Sequence, residues 1–220
     1  MNTCFESHSK YNYDDLINFL SSENIKEKHF AVLELEEIRS CEDAKLLVSN
    51  LVGQDGKIRE AVVFKISEFF KNPDFAKFFI NEENFAVFMQ GIMDINGNVC
   101  RHICVLECEE FNEYLSKKLP AEIDAILARI KELEAKEKQY VISKRNFQLY
   151  WCLEALYNVI DKVEFAEIKD ILFATAEFND YTIREKTAKI VVKLDNSEAD
   201  GLKVKLKNDS NYYVRRYMCP

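Results

Sequence analysis

Apolar residues recur along this chain at helical spacing almost from end to end, and the periodic segments come in pairs separated by polar turn residues. The first pair is predicted at 13–21, with Leu16, Ile17 and Leu20 on one face, and at 25–38, where Phe30, Leu33 and Ile38 form the expected stripe. A second pair covers 41–52 and 57–70. It aligns Ile58, Val62, Ile66 and Phe69, and Gly53-Gln54-Asp55-Gly56 is a turn by composition. The third runs from an aromatic stretch at 75–93, through a turn at Asn96-Gly97-Asn98, to a helix at 99–111. The fourth joins a charged helix near 121–139 to an aromatic one near 143–160. The fifth occupies 165–178 and 181–194, and a truncated sixth occupies 197–207 and the residues from 211 onward. Pro73 and Pro120 suit helix starts, where the missing N–H is harmless.

Aligning the second member of each pair exposes a repeat. Asp55-Gly-Lys-Ile58-Arg59, Asp180-Tyr-Thr-Ile183-Arg184 and Ser210-Asn-Tyr-Tyr-Val214-Arg215 share a polar turn residue, spacers, a β-branched residue and arginine. Asn96-Gly-Asn-Val99-Cys100-Arg101 is a looser copy with its arginine one position late. Units that bury their faces only against neighbours form a solenoid. These fragments resemble the HEAT and HEAT-like repeats, whose unit is two antiparallel helices with a D-x-x-[VI]-R start to the second. The resemblance covers most of the chain and is sharpest at 55–69, 180–194 and 208–216, while 96–150 departs from the pattern. It implies an all-α fold, a right-handed α-solenoid of about six antiparallel helical hairpins. A single domain over 1–220, with a lengthened helix at about 121–139, is expected.

Five glycines and three prolines are too few for the turns of a β-sandwich or barrel. No apolar run approaches the roughly 18 to 20 residues that span a bilayer. The opening Met1-Asn2-Thr3-Cys4-Phe5-Glu6 has neither a basic nor an apolar region, so no secretory signal is expected. Seven cysteines without a CxxC pair predict reduced thiols and a cytoplasmic location. A net charge of −8 disfavours nucleic acid and anionic lipid as partners. The acidity is uneven: residues 1–142 hold 17 basic against 26 acidic side chains, and 143–220 hold 13 against 12. A basic partner would therefore meet the amino-terminal half.

Candidate chemistry is sparse. Cys100, Cys104 and Cys108 fall at i, i+4 and i+8, on one face of the predicted helix, and read as core, because one straight helix cannot wrap a tetrahedral metal site. Neither a metal nor a cofactor is expected. Arg59, Arg184 and Arg215 read as scaffold, pairing with turn carboxylates such as Asp55 and Asp180. Phe147, Tyr150 and Trp151, with Tyr157 a turn further on, form an aromatic cluster with one carboxylate, Glu154, an alternative ligand pocket. The cluster invites comparison with the HEAT-like DNA glycosylases for alkylated bases, which hold an extruded cationic base with aromatics and a carboxylate. The aspartate that resemblance requires is missing here. No G-x-S-x-G, H-E-x-x-H, G-x-G-x-x-G or P-loop occurs.

The resemblance implies that second helices line an interaction surface. Its candidate contacts are Glu60, Phe64 and Glu68 in one repeat, Arg101 and Val105 in the next, and Glu185 and Lys189 further on. The expected function is a non-enzymatic scaffold that binds a protein or peptide through apolar anchors in an acidic rim. The alternatives are an enzyme on the same scaffold, of the glycosylase or a chromophore lyase-like type, and a structural protein that self-associates through 121–139. In that segment Ile123, Ile126, Leu127, Ile130 and Leu133 form a stripe, and Glu132–Lys136 and Glu134–Lys138 make i, i+4 pairs.

Overall fold

The computed structural model describes residues 11–136, 139–195 and 197–218. The chain forms two compact units, residues 1–91 and 92–220, and every regular element among the described residues is helical.

The first unit contains α1 (Tyr13–Leu20), α2 (Ile25–Glu34), α3 (Cys41–Ser49), α4 (Gly56–Phe69), the short α5 (Pro73–Ala76) and α6 (Glu82–Ile92), whose last residue enters the second unit. Each of α1 to α5 opens on a side-chain cap from Asn12, Asn24, Ser40, Asp55 or Asn72, and Pro73 occupies the first turn of α5 as expected. Helices α1 and α2 pack as a hairpin, as do α3 and α4; α1 then lies on α3 and α2 on α4. Gly53, at φ +71°, turns the chain between α3 and α4 in a conformation that disfavours any side chain. The stripe predicted for 25–38 is corrected. Helix α2 stops at Glu34 and buries Ala31 and Val32, with Leu35 just beyond its end, whereas Phe30 and Leu33 are exposed. The aromatic stretch at 75–93 is likewise two helices with a break between them.

The second unit contains α7 (Gly97–Cys104), α8 (Glu109–Glu134), α9 (Gln139–Val159), α10 (Phe165–Ala176), α11 (Tyr181–Lys193), α12 (Asp200–Lys207) and α13 (Tyr212–Arg215). Second helices stack in the order α7, α9, α11, α13, and first helices in the order α8, α10, α12. That two-layer stacking of successive hairpins is the architecture of an α-solenoid.

Two boundaries differ from expectation. The predicted helix at 99–111 ends at Cys104; Cys108 then stands immediately before α8, so the three cysteines do not share one helix, although all are buried as core. The charged helix begins at Glu109, which places Pro120 in its interior. A proline there lacks one N–H and normally costs about 3 kcal/mol. The cost is offset because Phe111, Leu115, Leu119, Ile123, Ile126, Leu127, Ile130 and Leu133 make one buried stripe on both sides of it, against α9 and α10. Glu132 and Lys136 pair as expected; Lys138, the partner predicted for Glu134, lies outside the described residues, as do Cys4, Cys219 and residue 139's two predecessors.

The repeated motif has a definite physical content. The anchors Ile58, Val99, Ile183 and Val214 are all fully buried. Asp55, Asn96, Asp180 and Asn211 cap the helices by accepting the N–H two residues on. The last cap is Asn211 rather than Ser210, which puts every anchor three residues after its cap. The pairing expected with a turn carboxylate of the adjacent repeat is found for Arg184, but Asp55 and Asp180 serve as caps, and the arginines also donate to carbonyls of the turn behind them. Arg184 Nη1 reaches the Phe178 and Asn179 oxygens at 2.7 and 2.9 Å, Arg215 Nη1 those of Asp209 and Ser210 at 2.6 and 2.7 Å, and Arg59 that of Gln54. The carboxylate that Arg184 finds is Asp209 of the following turn, held in a two-point pair at 2.6 and 3.0 Å. That arginine holds Asp209 below the usual carboxylate range. Asp209→Ala is expected to lower the stability of this unit by about 2–3 kcal/mol, because it strands a largely buried guanidinium and frees the Asn211 N–H. Thermal unfolding at neutral pH measures it, and the difference from wild type should shrink as pH falls through the depressed pKa of Asp209.

Candidate functional site

Helix α9 positions the aromatic cluster. Polar side chains on its faces reach backbone carbonyls on either side of α7: Gln148 Nε2 donates to the Met93 carbonyl, just after α6, at 3.0 Å and Asn158 Nδ2 to that of Cys104, the last residue of α7, at 2.7 Å. Gly97, at the start of α7, comes so near that a β-carbon there would stand 3.7 Å from the rings of Phe147 and Trp151. Trp151 is core, 9% exposed, with edge-on contacts to Phe147 and Tyr150 at centroid separations of 6.3 and 5.3 Å. Its Nε1 is buried without a hydrogen-bond partner.

Glu154 is not an open carboxylate. It accepts from Lys186 at 2.5 Å and from Lys189 at 3.3 Å, both from α11. Burial works to raise its pKa, but the hydrogen bond and charge of Lys186, with help from Lys189, outweigh burial and hold it below the usual glutamate range. Burial similarly opposes the charge on Lys186, and Glu154 and Tyr150 more than reverse the effect. The same two helices set lysines over tyrosine faces: Lys186 over Tyr150 at 4.3 Å, and Lys189 and Lys193 over Tyr157 at 4.5 and 3.7 Å. The result is a ladder in which Tyr150, Glu154 and Tyr157 of α9 face Lys186, Lys189 and Lys193 of α11. Tyr157 belongs to the aromatic patch read from the sequence, whereas Lys186 and Lys193 carry no motif and were not anticipated from it. Their spacings, 150/154/157 and 186/189/193, are each one helix face, and that is the only signal available.

Beside this ladder lies an open cleft of about 520 Å³, lined by Ser143, Asn146, Phe147, Tyr150, Asp180 and Thr182. Phe147 and Tyr150 of the predicted cluster line it, and Trp151 and Glu154 do not. Among the described residues no group of three or more His, Cys, Asp or Glu side chains could hold a metal ion. The buried thiols are poor nucleophiles: burial pushes Cys100 up to about 12 and Cys108 to about 11, and raises Cys104 and Cys152 further.

The remaining predicted contacts fall in both units. In the first, α4 presents Phe64, 46% exposed, with Glu68 exposed and paired to Lys65 at 2.9 Å, and with Glu60 half-buried. In the second, Arg101 and Val105 are exposed at the end of α7, the latter to 61%. Glu185 is paired with Arg216 at 2.7 Å, and Lys189 with Glu154. The structure thus brings Lys189 into the aromatic ladder rather than leaving it for a partner.

No protein-family model matches the chain, and no curated protein matches it in sequence. Solved structures similar to it include engineered proteins. One engineered protein shares 14% identity over 94% of each chain with a TM-score of 0.47. A designed armadillo repeat protein shares 13% over 94% of this chain and 97% of that one, with a TM-score of 0.46. A further designed armadillo repeat protein, solved in complex with peptide (KR)4, shares 13% with the same coverage and a TM-score of 0.48. At these scores the likeness carries no argument about what this chain binds. No helix among the described residues is long and apolar enough to cross a membrane.

Proposed function

We propose that this chain is a non-enzymatic, HEAT-like repeat scaffold in the cytoplasm, working as one domain, that binds a protein or peptide on the exposed faces of its second helices. The carrying observation is where its exposed large apolar side chains sit. In the second unit Ile95, Val105, Tyr140 and Phe147 belong to α7, α9 or the turns beside them, and Tyr181, Val192, Tyr212 and Tyr213 to α11 and α13. Only Phe173 and Val204 lie on first helices. In the first unit Ile25, Phe30 and Leu33 lie on α2 and Phe64 on α4, while Tyr11, Val52 and Ile80 lie in the turns beside α1, α3 and α6, so the bias toward second helices is carried by the second unit. Exposed apolar area concentrated on one layer of a repeat stack is the composition of a contact surface. Glu60 and Glu68 beside Phe64 favour a basic partner.

A glycosylase reading lacks comparable support. The carboxylate of the predicted cluster, Glu154, is already neutralised by two lysines, and a cationic base would have to displace both to use it.

Selection from a random-peptide display library against the full chain tests the proposal. Enriched sequences combining apolar and basic residues are expected. Affinity for an enriched peptide should fall at least about tenfold when Glu60 and Glu68 are reversed to lysine, or when Phe64 becomes serine. Failure to enrich any sequence, or affinity indifferent to all three substitutions, would remove this face from consideration.

A further inference from the structure

The cleft between the first half of α9 and the start of α11 has the chemistry of a cation receptor. We propose that it is a docking subsite for the guanidinium of an arginine side chain in the bound peptide. The inference rests on the peptide-binding reading above and names the partner's chemistry at one position.

Its lining contains one carboxylate and no cation. Asp180 commits Oδ1 to the Thr182 N–H and hydroxyl, at 2.9 and 2.8 Å, which leaves Oδ2 for an incoming donor. Asn146 and Ser143 add neutral polar side chains to the lining, so Asp180 alone sets its charge. Arg145 donates to Gln148 Oε1 at 2.8 Å, and Arg184, which feels the charge of Asp180, gives its donors to the Phe178 and Asn179 carbonyls and to Asp209; neither is part of the lining.

The aromatic wall supports the same occupant. Tyr150, Tyr157 and Tyr213 already have the chain's own lysine or arginine over their rings. Phe147, which lines the cleft and is partly exposed, has none among the described residues. A guanidinium can lie flat against that ring while its fork of N–H donors meets Asp180 Oδ2. An ammonium is a compact, strongly hydrated point charge that cannot stack in this way. A neutral aromatic side chain would leave the carboxylate unpaired, and an acidic one would meet Asp180.

The probe is N-acetyl-arginine methylamide, titrated into the isotopically labelled full chain and followed by backbone amide NMR, with the citrulline and lysine analogues as controls. Shifts are expected at residues 143–150 and 180–182 with the arginine compound, and severalfold weaker binding with either control. Asp180→Asn retains the helix cap and removes the charge, and Phe147→Leu keeps an apolar side chain against Trp151 and removes the aromatic face; each should weaken binding about threefold to fivefold, with unfolding temperatures close to wild type. An undisturbed cleft, or equal response to citrulline or lysine, overturns the proposal. If display-selected peptides still bind while arginine leaves the cleft untouched, this subsite alone is wrong. If no peptide binds either, the scaffold reading falls with it.

Discussion

Glutamate at both Ile126 and Ile130 is expected to unfold the unit formed by residues 92–220. The two side chains are 3% and 2% exposed, on the stripe that α8 turns toward α9 and α10. A carboxylate placed there has no cation within the stripe and loses its water. The effective penalty of several kcal/mol per buried ion puts the pair at about 6 kcal/mol or more, against a total stability of about 5–15 kcal/mol for a typical domain. The measurement is helical signal against urea, with Ala128→Glu and Arg129→Glu on the exposed side of the same helix as controls. Those two should remain within about 0.5 kcal/mol of wild type. A double variant that stays folded and instead changes the scattering mass would identify the stripe as a contact between copies, and would contradict the packing of α8 on α9.

What could be read from the sequence was local, and what could not was long-range. The cap, buried anchor and arginine of the second helices are a five-residue pattern, so Ile58, Ile183 and Val214 were recognisable before any coordinates. The turn carbonyls that receive Arg184 and Arg215 are only five and six residues away, yet side-chain chemistry alone pointed to carboxylates, because backbone acceptors are invisible in composition. Pro120 misled for the opposite reason. Its local preference marks a helix start, and a stripe of buried residues on both sides of it overrode that preference. Phe30 and Leu33 were assigned to the core on hydrophobicity, but the smaller Ala31 and Val32 face inward, where α2 lies close on α4. The ladder between α9 and α11 joins residues more than thirty positions apart, such as Glu154 and Lys186. The cleft needs Asn146 and Asp180 to be neighbours in space, and no spacing in the chain announces either.

Removing the carboxylate at the centre of that ladder should be the most damaging change to a charged residue. Glu154→Ala leaves Lys186 and Lys189, both largely buried, beside each other without their shared counter-charge. Breaking a buried pair from one side typically costs about 3–5 kcal/mol; the partial exposure of Glu154 places the expected loss at about 2–4 kcal/mol. The loss is a property of the stranded cations, so adding Lys186→Met to Glu154→Ala should restore at least half of it. The apolar chain of methionine retains the packing over Tyr150. The pH dependence follows from the two directions. Glu154 is held below its ordinary pKa, so its contribution is present above the unfolded value, about 4.3, and is lost as pH falls through the depressed folded value. Lys186 is held above its ordinary value, so its contribution is complete below about 10.4 and is lost as pH rises through the elevated folded value. Wild-type stability attributable to the pair should therefore be flat between those limits and decline outside them, and Glu154→Gln should abolish the acid-side part. Were Glu154→Ala to leave stability unchanged, the carboxylate would not be the element that ties α11 to α9, and it would again be free to act on a ligand.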